Sequence, residues 1–237
     1  MPLFCAAQSA ELYYPQAAQL LFNKTGALWK GNKDSAALCS RWISLIDSAT
    51  YKGLDQSRYG NTLNHTNDIK LADAIFTYCK DISTGSNVDK WIGYDELSLQ
   101  VNKNDDSFLL AQLSAIGNVN DLEAFLKKAE PSSSYYNLLI TELHTQLAAH
   151  NDKEIAKLQC ALAHYRWISH FRFSKHIIVN IASASMAYYE DGDAKLSMRV
   201  VVGKPSTKTP RFAAYCHEVI LYPYWHVPRS IAVNEIL

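Results

Sequence analysis

Near residue 170 the spacing of apolar residues changes, and this change constrains the fold of the 237-residue chain more than any single motif. Up to about residue 168 apolar side chains recur at helical intervals, and after residue 172 they alternate. "AAQLLFNKTGALW" puts Ala17, Leu20, Leu21 and, past a Gly-containing turn, Leu28 and Trp29 in the buried role. "DSAALCSRWISLIDSA" sets Leu38, Trp42, Leu45 and Ile46 on one face, with Asp34 and Ser35 available to cap its start. "YKGLDQSRYG" is a connection, and "DIKLADAIFTYCKDISTG" aligns Ile69, Ala72, Ile75, Phe76 and Cys79 before stopping at Gly85. "DDSFLLAQLSAIG" ends at Gly117 and "DLEAFLKKAEP" is closed by Pro131. "SSSYYNLLITELHTQLAAHND" follows a serine cap with Leu138, Leu139, Leu143 and Leu147, and "EIAKLQCALAHYRWI" completes the helical set.

Beyond the switch, "SKHIIVNIAS" predicts a strand. "SMAYYEDGDAKLSMRVVVGK" predicts strand, turn at Asp191-Gly192-Asp193, and strand. "FAAYCHEVILYPYW" predicts another strand, bounded by Pro223. The fold class expected is α+β: a helical N-terminal domain followed by a small, incomplete antiparallel β domain. So few strands, ending on the apolar "SIAVNEIL", predict unpaired edges and one uncovered face.

Charge narrows the function classes. Lys+Arg and Asp+Glu balance at 23 each, so no net field favours nucleic acid. No run approaches the roughly 20 apolar residues of a membrane span. Five cysteines without a C-x-x-C pattern argue against a structural zinc site and a dense disulfide framework. Eight histidines with no His pair at four-residue spacing give metal catalysis no support, and "GDAK" and "VGKP" lack a phosphate loop. No metal and no cofactor are expected. Residues 1–10, "MPLFCAAQSA", resemble the small-residue end of a signal peptide without its basic start or apolar stretch, and are expected to be a remnant of one.

Cys216-His217 is a thiol beside an imidazole. On a strand the two side chains point to opposite faces and cannot form a dyad, so Cys216 is expected to be a small buried hydrophobe and His217 a surface residue. His226 reaches Cys216 only if the chain folds back. "YPYWHVP", residues 222–228, holds Tyr222, Tyr224, Trp225 and His226 around and between two prolines. Such a segment either stacks on a ligand or pins a corner of the sheet.

The C-terminal residues resemble the first half of the YkuD-like catalytic domain of large L,D-transpeptidases. The matching residues are Val179-Asn180-Ile181, Tyr188 to Gly192, Met198 to Lys204, Thr209-Pro210 and Pro223 to Ile231. "YKGLDQSRY", "LADAIFTYCKDISTG" and "ALAHYRWI" are similar, more loosely, to the helical scaffold domain of the same proteins. The resemblance divides the chain into 11–168, a scaffold domain, and 173–237, the N-terminal part of a catalytic β domain.

It implies a protein of peptidoglycan cross-linking, periplasmic or cell-wall associated, whose partners are stem peptides. Family members use a cysteine to attack a tetrapeptide stem, releasing the terminal D-residue and forming a thioester. The acyl group then passes to the side-chain amine of a second stem. The family signature, a His-Gly segment followed by Ser-x-Gly-Cys-x-Arg, does not occur in these residues, so no catalytic residue is assigned and Cys216 inherits no role. The expectation is a family member truncated before its nucleophile and inactive as this chain. The alternatives are a non-enzymatic peptidoglycan- or partner-binding module, whose sheet a homo-oligomer or a complementing chain would close, and an unrelated hydrolase using Cys216 and His226. Tyr222, Tyr224, Trp225 and His226 are the expected substrate-binding residues.

Overall fold

The computed structural model describes residues 12–25, 33–60, 68–86, 105–171, 173–191, 193–210, 214–222 and 224. Among them, seven α-helices precede a three-stranded antiparallel sheet, an α+β fold. The helices are α1 (Pro15–Thr25), α2 (Lys33–Asp47), α3 (Asp68–Thr84), α4 (Asp105–Ser114), α5 (Val119–Ala129), α6 (Ser134–Ala148) and α7 (Asp152–His170). Two short 3-10 turns, Ala49–Lys52 and Gln56–Tyr59, join α2 to the segment before α3. The strands are β1 (Lys175–Asn180), β2 (Ser185–Glu190) and β3 (Asp193–Arg199).

Helix α3 is the one around which the others assemble, with α1, α2, α4, α5, α7 and the second 3-10 turn against it. It buries Leu71, Ala72, Ala74, Ile75, Phe76, Tyr78, Cys79 and Ile82, as a helix surrounded on most sides must. Leu38, Trp42, Leu45 and Ile46 of α2 join the same core, with Leu109, Leu110 and Leu113 of α4 and Leu122 of α5. Leu20, expected inside, is 49% exposed, because Ala18 and Leu21 take the inward face of α1. Leu138 likewise turns outward, while Leu143 is buried. Ser35 does not cap α2: the helix begins at Lys33, and Ser35 is buried in its first turn. Leu28 and Trp29 lie outside the described residues.

Three buried polar side chains, Asp73, Thr77 and Asp81, share one stripe of α3 at four-residue spacing. Asp73 accepts the backbone N–H groups of Tyr13 at 3.0 Å and Tyr14 at 2.7 Å. These donors stand at the start of α1, where Pro15 takes the first helical position. Asp81 accepts from Arg58 Nε at 2.8 Å and from the Tyr59 hydroxyl at 2.9 Å.

The α6–α7 pair has its own small core, Tyr136, Leu143 and Leu162, closed over the first 3-10 turn. Gly53 makes that closure possible. Its φ is +68°, and a Cβ there would lie 2.6 Å from Leu162 Cδ1 and 3.3 Å from Leu143 Cδ2. Ser133 caps α6 by accepting the Tyr136 N–H at 3.2 Å.

The sheet has the order β1-β2-β3. Ile177 pairs with Tyr188 and Val179 with Met186, and across the other ladder Leu196 pairs with Tyr188 and Met198 with Met186. An irregularity between Tyr188 and Tyr189 sets Lys195 out of register. An aromatic run leads into the sheet from α7. Trp167 meets Phe171 edge to face at 4.6 Å, and Phe171 stacks on Phe173 at 5.4 Å. His176 stacks on Tyr189 at 4.9 Å across β1 and β2.

Two strand expectations are corrected. β3 stops at Arg199 rather than running to Lys204: Val200 N–H still donates to the Ala184 carbonyl, and residues 201–204 continue without a described strand partner to a turn at residues 205–207. In the segment after β3, Gly203 N–H donates to Thr209 Oγ1 at 2.7 Å, and a Cβ on Gly203 would clash with the Thr207 carbonyl oxygen. Of the further strand expected from Phe212 up to Pro223, the described residues 214–222 pair with no described strand, so alternation alone did not make them one.

Candidate functional site

The candidate site is the aromatic end of the segment after residue 213. Its described residues from Ala214 to Leu221 are exposed throughout, including the apolar Val219, Ile220 and Leu221. Tyr222 and Tyr224 are 98% and 93% exposed, with both phenol rings in solvent. Tyr222 has a φ of +51°, a left-handed backbone that is costly for an aromatic residue and marks a bend. Trp225 and His226 lie outside the described residues.

Cys216 is exposed, not buried as expected, because no strand among the described residues covers its segment. Its Sγ lies 3.6 Å from the Glu218 carbonyl oxygen, to which the thiol donates, and His217 is exposed beside it. No imidazole is set against this thiol among the contacts of the described residues.

A second Cys–His pair escaped the sequence reading, although its C-x-x-x-H spacing is visible. Cys160 Sγ and His164 Nδ1 stand 3.6 Å apart on successive turns of α7. The same Nδ1 is 2.6 Å from the Cys160 carbonyl oxygen. That short contact requires Nδ1 to carry a proton directed at the carbonyl, so it cannot take one from the thiol. The pair is a helix-turn contact rather than a nucleophile and its base.

Among the described residues no three His, Cys, Asp or Glu side chains gather to hold a metal ion. Nor is any described helix long and apolar enough to cross a membrane. Two exposed phenols beside exposed aliphatic residues can stack on a ligand and exchange hydrogen bonds with it. This arrangement suits binding rather than bond breaking.

Residues 12–143 match the model of the family described as "Scaffold domain", and residues 174–237 match that described as "L,D-transpeptidase catalytic domain". A Haemophilus influenzae protein named "Putative L,D-transpeptidase" is 26% identical over 230 residues, which cover 96% of this chain and 46% of that protein. The chain thus spans about half the length of the curated relative it matches. No solved structure matches it.

Proposed function

The chain belongs to the L,D-transpeptidase family, and from that premise we propose that it serves peptidoglycan cross-linking in the cell envelope, on the periplasmic or cell-wall side. On this proposal residues 11–168 form the scaffold domain and residues 173–237 the first part of the catalytic domain. Tyr222, Tyr224, Trp225 and His226 hold the stem peptide.

The exposure of Tyr222 and Tyr224 carries the proposal. Phenols left in solvent next to Val219, Ile220 and Leu221 stabilise nothing in the fold, yet suit stacking and hydrogen bonding to a peptide. The bond-forming step is not assigned to these residues. The sequence holds no Ser-x-Gly-Cys-x-Arg segment, and among the described residues neither Cys216 nor Cys160 is set against a histidine able to take its proton. On this proposal the described residues serve binding, and acylation is assigned to none of them.

Co-sedimentation with purified sacculi tests the binding. The expected result is retention of the wild-type chain and a loss of tenfold or more in the Tyr222→Ala/Tyr224→Ala double variant. Equal retention of both chains, or of neither, would sink the proposal. Mass spectrometry after incubation with tetrapeptide stems tests the second part, since an acyl adduct on any cysteine would contradict it.

A further inference from the structure

Alternation along the three strands gives the sheet two faces of different chemistry. One carries the aliphatic Ile177, Val179, Leu196 and Met198. The other is built in three rows, each taking one residue from β1, β2 and β3. Its first row sets His176 beside Tyr189, with the rings stacked 4.9 Å apart and 10° from parallel, and Ala194 next to them. Each stacked ring keeps one face free of the other. The second row is Ile178, Ala187 and Ser197, and its two short side chains keep the floor close to the backbone. The third row is polar throughout: Asn180, Ser185 and Arg199. The Ser185 hydroxyl is joined to that of Ser183 at 2.7 Å.

His176, Ser185 and Tyr189 are half-buried, whereas Asn180, Ala194, Ser197 and Arg199 are exposed. From the first row to the third the floor runs roughly 13 Å, and β1 and β3 lie about 10 Å apart across it. These paired positions hold no Asp, Glu or Lys, so a charged peptide would meet one permanent charge, Arg199. A protein partner wants an apolar centre, and here the centre is one isoleucine and one alanine beside a serine. A sugar chain fits better. The C–H face of a pyranose packs on an aromatic ring, and its hydroxyl rim exchanges hydrogen bonds with amide, hydroxyl and guanidinium groups.

We infer that the His176–Tyr189 stack, the low floor at Ala187 and Ser197, and the Asn180–Ser185–Arg199 row form a saccharide-binding surface, taking the glycan strand of peptidoglycan rather than its stem peptides. The proposed function supplies the identity of that polymer and nothing else.

The experiment titrates the 237-residue chain with glycan strands freed of their stem peptides and, separately, with free tetrapeptide stems, by calorimetry. Saturable binding of the glycan is expected. Tyr189→Ala should weaken it by about tenfold or more through the lost stacking contact, and Ser197→Gln should do the same by raising the floor. Met198→Gln, on the opposite face, and the Tyr222→Ala/Tyr224→Ala double variant should leave it unchanged. Ser197 is exposed, so the glutamine variant decides the matter if circular dichroism shows that Tyr189→Ala disturbs the sheet. Absence of glycan binding, or binding indifferent to Ser197→Gln, overturns the inference. So does stem binding that Ser197→Gln abolishes, which would make a peptide the occupant. Glycan without stems does not engage the peptide site, so failure here and failure of the sacculus assay are distinguishable.

Discussion

Arg166 of α7 donates twice to the hydroxyl oxygen of Tyr136 at the start of α6, from Nε at 3.1 Å and Nη2 at 2.7 Å. Both side chains are buried, Arg166 completely. Nη2 also donates to the Lys52 carbonyl oxygen, and the Tyr136 hydroxyl donates to Glu130 Oε1 at 2.9 Å. Glu130 in turn pairs with Lys52 at 2.8 Å. One guanidinium thereby ties the end of α5, the start of α6, α7 and the first 3-10 turn.

Arg166→Ala should destabilise the chain by about 3–5 kcal/mol, because it opens a cavity and leaves a buried phenol oxygen and the Lys52 carbonyl short of donors. Arg166→Lys should recover little, since a single ammonium cannot match the fork. Urea unfolding measures both. A loss below about 1 kcal/mol for the alanine variant would show that the network contributes no net stability.

Gly53→Ala should cost at least about 1–3 kcal/mol. The backbone there is left-handed, and the added methyl group would press on Leu162 and Leu143 at the α6–α7 core. Gly60 also has a positive φ, +70°, but a Cβ there meets nothing within 4 Å. With a ψ of −175° Gly60 lies in a region essentially confined to glycine, so Gly60→Ala should cost about 1–3 kcal/mol through backbone strain alone. Thermal unfolding of the two variants side by side separates crowding from strain.

Burial pushes the Asp81 carboxyl above its ordinary range, while Arg58 and Tyr59 pull it down without cancelling the rise. A carboxyl raised by folding binds its proton more tightly in the folded chain. Its contribution is fully present below the unfolded value of about 3.9 and is lost as pH rises through the raised value. The stability of wild type relative to Asp81→Asn should therefore fall on going from acid towards neutral pH. A difference that rises over that interval would mean the Arg58 ion pair outweighs desolvation.

The cysteines should divide by exposure. Cys216 lies in solvent, whereas Cys79 is buried in the main core, where burial raises its thiol well above the usual range. Iodoacetamide should label Cys216 in the native chain and Cys79 only once denaturant unfolds α3. Native labelling of Cys79 at a similar rate would mean that the core opens locally.

Much of the helical half was legible because its apolar residues sit where a 3.6-residue period needs them. Leu38, Trp42, Leu45, Ile46, Ala72, Ile75, Phe76 and Cys79 are all buried. Asp73, Asp81 and Arg166 were not legible. A buried charge depends on partners far away in sequence, such as Tyr14 for Asp73 and Lys52 for Arg166, and no local pattern announces them. The alternation that located β1, β2 and β3 also suggested a strand at 214–222, but a strand exists only through its pairing, which a single sequence does not display. Of the candidate site, the sequence singled out Tyr222 and Tyr224 by their aromatic neighbourhood. It missed both the exposure of Cys216 and the Cys160–His164 contact, which follow from packing and hydrogen-bond direction.

Asp73 supplies acceptors to backbone donors 59 and 60 positions earlier in the chain. Helix α1 has only 11 residues, fewer than the roughly 12–15 at which an isolated helix becomes even marginal in water. Its first turn thus gains its electrostatic anchor only after α3 has formed and come alongside. The element nearest the start of the described chain is expected to be a late arrival in folding. A chain growing from its N-terminus would hold that segment unanchored until Asp73 has emerged.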